Sequence, residues 1–341
     1  MRGFLIGLLI LIGLGALVAA GGYFTLRRPD IPLATLEQRY GDQRSQYQDL
    51  PNGVRMHFRD EGVQTRPTLL LVHGFSSSLH TWEPWTRILS DRYRLISIDL
   101  PGHGLTDAPA TYEPSTAQYA RDIEAFARAR GIEHFALAGN SMGGHVAWEY
   151  ALAHPNQLDA LILVDAAGWA ETRSESQNDP QIFRLLRNPV LGPLLIQLDN
   201  TRLVREGLRG SFHDPAFAND GMVRRYIELA RAPGHREILR RLLIGSRDGR
   251  PATNELLAGI RTPTLILHGG ADTLVPVEHG RQFAGAIPGS DLVIWEDDGH
   301  LPQEEHPQRS ADALAAFLAR VYEQQAIGSP LEPQQNVTPA Q

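Results

Sequence analysis

The stretch HFALAGNSMGGHVAW, residues 134–148, decides the fold of this chain. Its first half is an apolar run typical of a buried strand, and its second half has the composition of a helix. Between the two halves stands Ser141, with Gly139 two residues before it and Gly143 two residues after it. A strand that runs straight into a helix must turn sharply, and small residues let the two backbones pass close together. This nucleophile-elbow spacing, Gly-x-Ser-x-Gly, predicts a reactive serine raised above the C-terminal edge of a sheet.

The same alternation of strand and helix continues on both sides of this motif. Apolar runs that predict strands include TLLLV, RLISIDL, LILVD, TLILH and DLVIW, whereas STAQYARDIEAFARARG and SADALAAFLARVYEQQ keep helical spacing. Because the strands are almost wholly apolar, we predict an α/β fold, with a mostly parallel sheet and helices on both faces. Residues 169–250 lack a buried-strand pattern and predict an inserted helical cap.

These patterns divide the chain into six segments. The segments are a transmembrane anchor (1–26), a tether (27–50), a first part of the core (51–168), the helical cap (169–250), a second part of the core (251–325) and a disordered tail (326–341).

The N-terminus predicts a membrane partner. Residues 3–26 carry no charge, and a spanning helix needs about 20 apolar residues. The length of this run favours a retained single-pass anchor. The alternative is a signal peptide cleaved after Ala20, which would make the protein secreted or periplasmic. The few flanking arginines leave the orientation in the membrane open.

Composition excludes several classes of function. The 341 residues carry a formal net charge of −7 and contain no cysteine. Disulfides and cysteine-based metal sites are therefore excluded, and nucleic acid is not an expected partner because no basic block is present. We expect neither a metal nor a cofactor, and the oligomeric state stays open.

A serine hydroxyl becomes a good nucleophile only when a base takes its proton. Among the thirteen histidines, His300 in DDGHLP follows the last predicted strand and is the expected base. The other candidates are His73, His103, His145, His268 and His306.

The base needs a carboxylate that fixes its tautomer. Asp272 lies four residues after the strand TLILH and is the expected acid, whereas Asp165 at the end of LILVD is the alternative. Backbone N–H groups must also stabilise the oxyanion of the transition state. We expect those of Met142, at the start of the helix, and of Phe75, in the loop after an early strand.

The motifs HGF, DLPGHG, GNSMGG, GGADTLVP and DDGH, in this order between Pro51 and Tyr322, make the chain resemble an α/β-hydrolase. It is similar to membrane-anchored serine hydrolases of the monoacylglycerol lipase and carboxylesterase type. This resemblance implies hydrolysis of a small-molecule carboxylic ester through a Ser–His–Asp triad and an acyl-enzyme. The predicted anchor and the leucine-rich cap suggest that the ester carries an apolar acyl chain.

The same triad serves other reactions. Carbon–carbon hydrolases share GNSMGG but commonly carry tryptophan directly after the catalytic histidine, where this chain has Leu301. Thioesterase, perhydrolase and acyltransferase activities also stay open, as does a non-enzymatic ligand-binding role. Epoxide hydrolases and haloalkane dehalogenases place aspartate at the position of Ser141, so their usual chemistry is excluded.

An apolar run in the predicted cap has two interpretations. Its side chains either line an acyl pocket or only hold the cap on the core. The run consists of Ile182, Phe183, Leu185, Leu186, Val190, Leu191, Leu194, Leu195 and Ile196.

Overall fold

The computed structural model describes residues 21–169, 181–245 and 250–328. Most of the predicted anchor, the start of the predicted cap and most of the predicted tail lie outside these residues. In the described part of the chain, no helix combines the length and apolar character that a bilayer span needs.

The described residues form one sheet with the strand order β1-β2-β4-β3-β5-β6-β7-β8. The strands are β1 (Ser45–Asp49), β2 (Arg55–Gly62), β3 (Thr68–Val72), β4 (Arg94–Ile98), β5 (Phe135–Asn140), β6 (Leu158–Val164), β7 (Thr264–Gly269) and β8 (Asp291–Trp295). Strand β2 is antiparallel to both β1 and β4, and all other neighbouring strands are parallel. This sheet confirms the predicted mostly parallel α/β fold.

Helices connect the strands and cover the sheet. Those in the described ranges are α1 (Leu33–Tyr40), α2 (Glu83–Leu89), α3 (Thr116–Ala129), α4 (Met142–Ala153), α5 (Gln181–Arg187), α6 (Leu191–Leu195), α7 (Thr201–Gly210), α8 (Asp220–Leu229), α9 (His235–Gly245), α10 (Asn254–Leu257), α11 (Val277–Ala286), α12 (Pro302–Glu305) and α13 (Pro307–Gly328).

The central strands are apolar throughout because both faces of the sheet are buried. In β3, Leu70 and Val72 point into the core beneath α3, α4 and α11, whereas Leu69 and Leu71 point into the core beneath α2 and α13. Successive side chains of a strand alternate between its two faces, so a strand covered on both sides reads as a continuous apolar run.

The expected tether over residues 27–50 is wrong for most of its length. Helix α1 buries Leu36 completely, and β1 adds an antiparallel edge strand beside β2. The residues of β1, SQYQD, are half-buried or exposed, because an edge strand has only one neighbour. The segment therefore shows no apolar period although it is folded.

Helices α5 to α10 lie in the described chain between β6 and β7. Helices α7 and α8 pack on the core through an apolar cluster that includes Leu208, Phe212 and Leu301, and the hydroxyls of Tyr226 and Ser77 lie 3.0 Å apart. Because Leu301 directly follows His300 at the C-terminal end of the sheet, this helical layer covers the edge toward which Ser141 projects.

Candidate active site

Ser141 occupies a strained turn between β5 and α4. Its backbone lies in the left-handed region, with φ of +55° and ψ of −118°. Such a conformation costs a non-glycine residue about 1–3 kcal/mol and is typical of functional sites. A Cβ at Gly139 would lie 2.1 Å from the Gly143 carbonyl oxygen, and one at Gly143 would lie 2.3 Å from the oxygen of Val72. The glycines of the motif therefore permit the close passage of strand and helix that raises the serine.

His300 and Asp272 form a buried pair on the loops that follow β8 and β7. The Nδ1–H of His300 donates to Asp272 Oδ2 over 2.7 Å, since a carboxylate can only accept. The other carboxylate oxygen accepts from the backbone N–H groups of Leu274 and Val275, at 2.7 and 3.0 Å. These bonds fix the carboxylate and leave Nε2 of His300 as the nitrogen that can take a proton.

The Asp272 carboxylate is stabilised in its charged form. Burial alone would raise its pKa, but the charge and hydrogen bond of His300 and the two backbone N–H groups outweigh burial and hold the pKa below its usual value. Asp272 therefore stays ionised at neutral pH and favours the imidazolium that a general base becomes.

Asn140 connects the histidine loop to the serine turn. Its side-chain Nδ2 donates to the carbonyl oxygen of His300 over 3.1 Å and to that of Val164 over 3.2 Å. In the described part of the chain, no hydrogen bond joins the Ser141 hydroxyl to the His300 ring. Catalytic hydrogen bonds often tighten only when a substrate is bound. The sequence offered no signal for Asn140 beyond its place next to Ser141.

Both expected oxyanion donors border the same pocket as Ser141. Met142 opens α4, where the first backbone N–H groups have no partner inside the helix. Phe75 lines the pocket, and a Cβ added at the neighbouring Gly74 would lie only 3.1 Å from Cβ of Ser141. The loop after β3 and the start of α4 therefore flank the serine.

The pocket has a volume of about 270 Å³ and lies between the core and α9. Its described lining consists of Phe75, Pro114, Ser115, Thr116, Ser141, Met142, His145, Ala167, Leu242, Leu243 and Gly245. The walls are largely apolar, and Ser115, Thr116, Ser141 and His145 supply the polar side chains.

The cap residues that line the pocket differ from those in the predicted apolar run. Leu185, Val190, Leu191 and Leu194 are 41–68% exposed and do not line the pocket, and the side chains of residues 182 and 183 lie outside those described. Leu242 and Leu243 line it instead. The sequence signal for them is weak, because the two leucines end a helix that is otherwise rich in arginine.

Three rival histidines are buried and bonded to backbone. His73 donates from Nδ1 to the Gly74 carbonyl over 2.7 Å and accepts from the Leu100 N–H at Nε2 over 3.0 Å. His103 bonds to the Pro101 carbonyl and His268 to that of Val275, at 3.2 and 3.0 Å. Burial lowers the pKa of all three rings, which favours the neutral imidazole. Their hydrogen bonds to the backbone indicate that they stabilise loops.

The two remaining rivals have partners at the surface of the core. His145 stacks on Trp148 with ring centroids 4.5 Å apart, and its Nε2 lies 3.5 Å from a Glu149 oxygen. His306 bonds to Asp298. Of the six candidate histidines, His300 is the one that the structure pairs with Asp272 through a hydrogen bond.

Asp165, the alternative acid, has a different environment. Its Oδ1 accepts from the Gly269 N–H over 2.8 Å, and its backbone φ is +44°. Burial, followed by the neighbouring charge of Asp272, raises its pKa well above the usual value. Its surroundings therefore favour the neutral acid more than those of Asp272, whose carboxylate accepts the hydrogen bond from His300.

Asp165, His268 and Asp272 also form a possible metal-binding group, with ligand atoms within 4.8 Å of one another. Each of these residues is already engaged. Asp165 accepts from Gly269, His268 bonds to a carbonyl, and Asp272 bonds to His300. These hydrogen bonds fit an acid–histidine–acid cluster held by neighbouring groups better than a cation site.

The chain matches a known protein family over most of its length. A family model described as alpha/beta hydrolase fold matches residues 67–307. The chain belongs to the α/β-hydrolase family. The match spans both parts of the core, the described cap and every candidate site residue named above.

Individual relatives of this α/β-hydrolase have several activities. Monoacylglycerol lipase abhd6-B of Xenopus laevis is 28% identical over 268 residues, which are 74% of this chain and 76% of the relative. A 2-hydroxy-6-oxononadienedioate/2-hydroxy-6-oxononatrienedioate hydrolase of Escherichia coli is 28% identical over 274 residues, covering 78% and 92% of the two chains. A solved bacterial membrane phospholipase A is 28% identical, with a TM-score of 0.67, and covers 94% of this chain and 99% of its own. The chain is thus a hydrolase-family protein with lipase, phospholipase and carbon–carbon hydrolase relatives.

Proposed function

We propose that this α/β-hydrolase cleaves carboxylic esters that carry one apolar acyl chain. The observation that carries the proposal is the strained turn of Ser141 at an apolar pocket, beside a buried His300–Asp272 hydrogen bond. A nucleophile on such a turn, a histidine and a carboxylate that orients it are the parts that acyl transfer needs.

The proposed reaction has two steps. Ser141 Oγ attacks the ester carbonyl while Nε2 of His300 takes the hydroxyl proton, and the N–H groups of Met142 and Phe75 stabilise the oxyanion. The tetrahedral intermediate expels the alcohol, which receives the proton from His300. Water then attacks the acyl-enzyme with His300 again as base, and the carboxylic acid leaves with Ser141 restored.

The pocket supports a single-chain substrate. Its volume of about 270 Å³ is at or below the lower end of the range for small-molecule sites, and Leu242, Leu243 and Met142 present apolar surface. The names of two relatives, a monoacylglycerol lipase and a membrane phospholipase A, support a lipid ester. The uncharged run at residues 3–26 supports the further proposal that the chain is anchored in the membrane that holds such substrates.

A carbon–carbon hydrolase is the competing assignment, because one relative acts on a dioic acid. Two observations favour the ester instead. The described lining of the pocket includes no arginine or lysine that would pair with a carboxylate group of such a substrate. Leu301 also follows His300, where the carbon–carbon hydrolases commonly carry tryptophan.

A panel of p-nitrophenyl esters from acetyl to dodecanoyl tests the proposal, with monoacylglycerol as a second substrate. We expect kcat/KM to rise with chain length and then level off, since each buried methylene contributes up to about 0.8 kcal/mol. Ser141→Ala should remove activity by several orders of magnitude, whereas Ser290→Ala, at a loop next to β8, should retain it. Unchanged hydrolysis by Ser141→Ala would contradict the proposal, as would wild-type enzyme that cleaves a vinylogous diketone but no ester.

A further inference from the structure

A group of exposed apolar side chains, which we call the apolar edge, lies on the cap side of the molecule. Its members are Phe24, Leu26, Leu185, Val190, Leu191 and Leu194, which are 41–71% exposed. Single exposed apolar residues are ordinary, but several on adjoining segments indicate an interaction site.

The helices that carry the edge are packed together. A Cβ added at Gly192 in α6 would lie 2.3 Å from the carbonyl oxygen of Leu186 in α5, so the two helices touch at backbone distance. Nη1 of Arg240 in α9 donates to the same carbonyl over 2.5 Å. The edge is thereby fixed to α9, the helix whose Leu242 and Leu243 line the pocket of Ser141.

The N-terminal arm, residues 21–31, joins this surface. Arg27 forms an antiparallel bridge with Leu198, and the Asp199 N–H donates to the Leu26 carbonyl over 2.9 Å. Arg231 and Arg236 of the cap donate to carbonyl oxygens of the same arm. The arm therefore lies beside the apolar edge, and the uncharged residues 3–20 that precede it in the sequence lie outside the described part of the chain.

The cap differs in charge from the rest of the protein. Residues 181–245 contain eleven arginines, no lysine and six acidic residues, a formal charge of +5, whereas the whole chain carries −7. Two of these arginines, Arg184 and Arg187, share α5 with the exposed Leu185. Basic side chains next to exposed apolar ones are the pattern of surfaces that bind anionic lipid, because the charges meet headgroups while the apolar groups enter the interface.

We propose that the apolar edge rests in the interface of an anionic lipid bilayer. The arm and the uncharged run before it then approach the same membrane, and the cap lies against the headgroups. Helix α9, which lines the pocket, is then next to the helices that contact the membrane. This proposal concerns a surface and does not depend on the ester chemistry proposed above.

The absence of cysteine from the chain permits a direct test on the full-length protein. Val190→Cys and Leu194→Cys are labelled with the fluorophore NBD and mixed with phosphatidylcholine vesicles containing phosphatidylglycerol, with and without doxyl-labelled lipid. Glu133→Cys is the matched control, because Glu133 is exposed just before β5, at the opposite edge of the sheet from Ser141. We expect blue-shifted emission and at least twofold quenching by doxyl lipid at positions 190 and 194, and neither at 133.

Two results would overturn the proposal. Labels at 190 and 194 that stay unquenched on vesicle-bound protein would show that the edge does not meet the bilayer. A blue shift without lipid, which grows with protein concentration, would assign the edge to a second copy of the chain. The fluorescence measurement needs no catalysis, so neither result bears on the ester proposal. Equally, the absence of esterase activity would not bear on the membrane contact of the apolar edge.

Discussion

Replacing Gly143 with alanine should damage activity far more than stability. A Cβ at this position would lie 2.3 Å from the Val72 carbonyl oxygen and 2.6 Å from that of His73, whereas ordinary contacts begin near 3.4 Å. Both oxygens belong to the backbone at the end of β3, so no side chain can swing away. The clash must be relieved by a backbone shift of about 1 Å, either of the serine turn or of the loop that holds Phe75.

Overpacking of this kind costs about 1–3 kcal/mol of folding free energy. That cost corresponds to a fall in Tm of several degrees in a domain of this size, at about 2–4 °C per kcal/mol. The catalytic loss should be larger, because a displacement of about 1 Å at a reacting group costs about 10²-fold in rate. Steady-state kinetics on p-nitrophenyl butyrate and a thermal melt measure the two effects on the same sample.

Gly285→Ala is the control, since a Cβ there would meet no atom within 4 Å in helix α11. We expect unchanged activity and a gain of about 0.5–1 kcal/mol, because alanine favours a helix over glycine. If Gly143→Ala keeps its activity within threefold of the wild type, the close passage of α4 and the end of β3 is not what positions Ser141.

Three other substitutions test separate parts of the site. Asp272→Asn should lower kcat at pH 7 on the order of 10⁴-fold while the protein stays folded. If Asp272→Asn keeps near-full activity and Asp165→Asn is inactive, the two carboxylates have the opposite roles. Asp165→Asn should keep most activity and gain stability relative to wild type as pH rises from about 5 to 9. Burial and the Asp272 charge raise the folded-state pKa of Asp165, so its stabilising contribution is present below the unfolded pKa of about 3.9 and is lost toward higher pH. If urea unfolding gives the same difference in free energy of unfolding between variant and wild type at every pH in this range, the prediction is wrong. Leu242→Ser should flatten the rise of kcat/KM with acyl length and spare acetyl esters, a profile that Leu185→Ser on the exposed side should leave as it is.

The central fold could be predicted because its strands are buried on both faces. Leu69 to Val72 must be apolar at every position to fill two cores, and that pattern is visible in the sequence. The serine turn could be predicted for a related reason, since the close backbone passage at Gly139 and Gly143 excludes any side chain. The edge strand β1 could not, because its polar residues face one neighbour and solvent.

The assignment of the acid needed three-dimensional geometry. Asp165 and Asp272 follow β6 and β7, which are neighbours in the sheet, so both carboxylates reach the same edge. The 2.7 Å bond from His300 to Asp272 is what distinguishes the two candidates most directly in the structure. The pocket wall could not be predicted for a similar reason, because the docking of the cap helices decides whether Leu242 or Leu194 faces Ser141.

Covalent labelling of the serine tests the central claim most directly. The full-length protein is incubated with a fluorophosphonate, digested and analysed by peptide mass spectrometry. The account predicts one stoichiometric adduct on Ser141, absent from Ser141→Ala and formed at least 10²-fold more slowly in His300→Ala, because the histidine must take the proton. An unlabelled folded protein, or an adduct on another serine that survives Ser141→Ala, would contradict it.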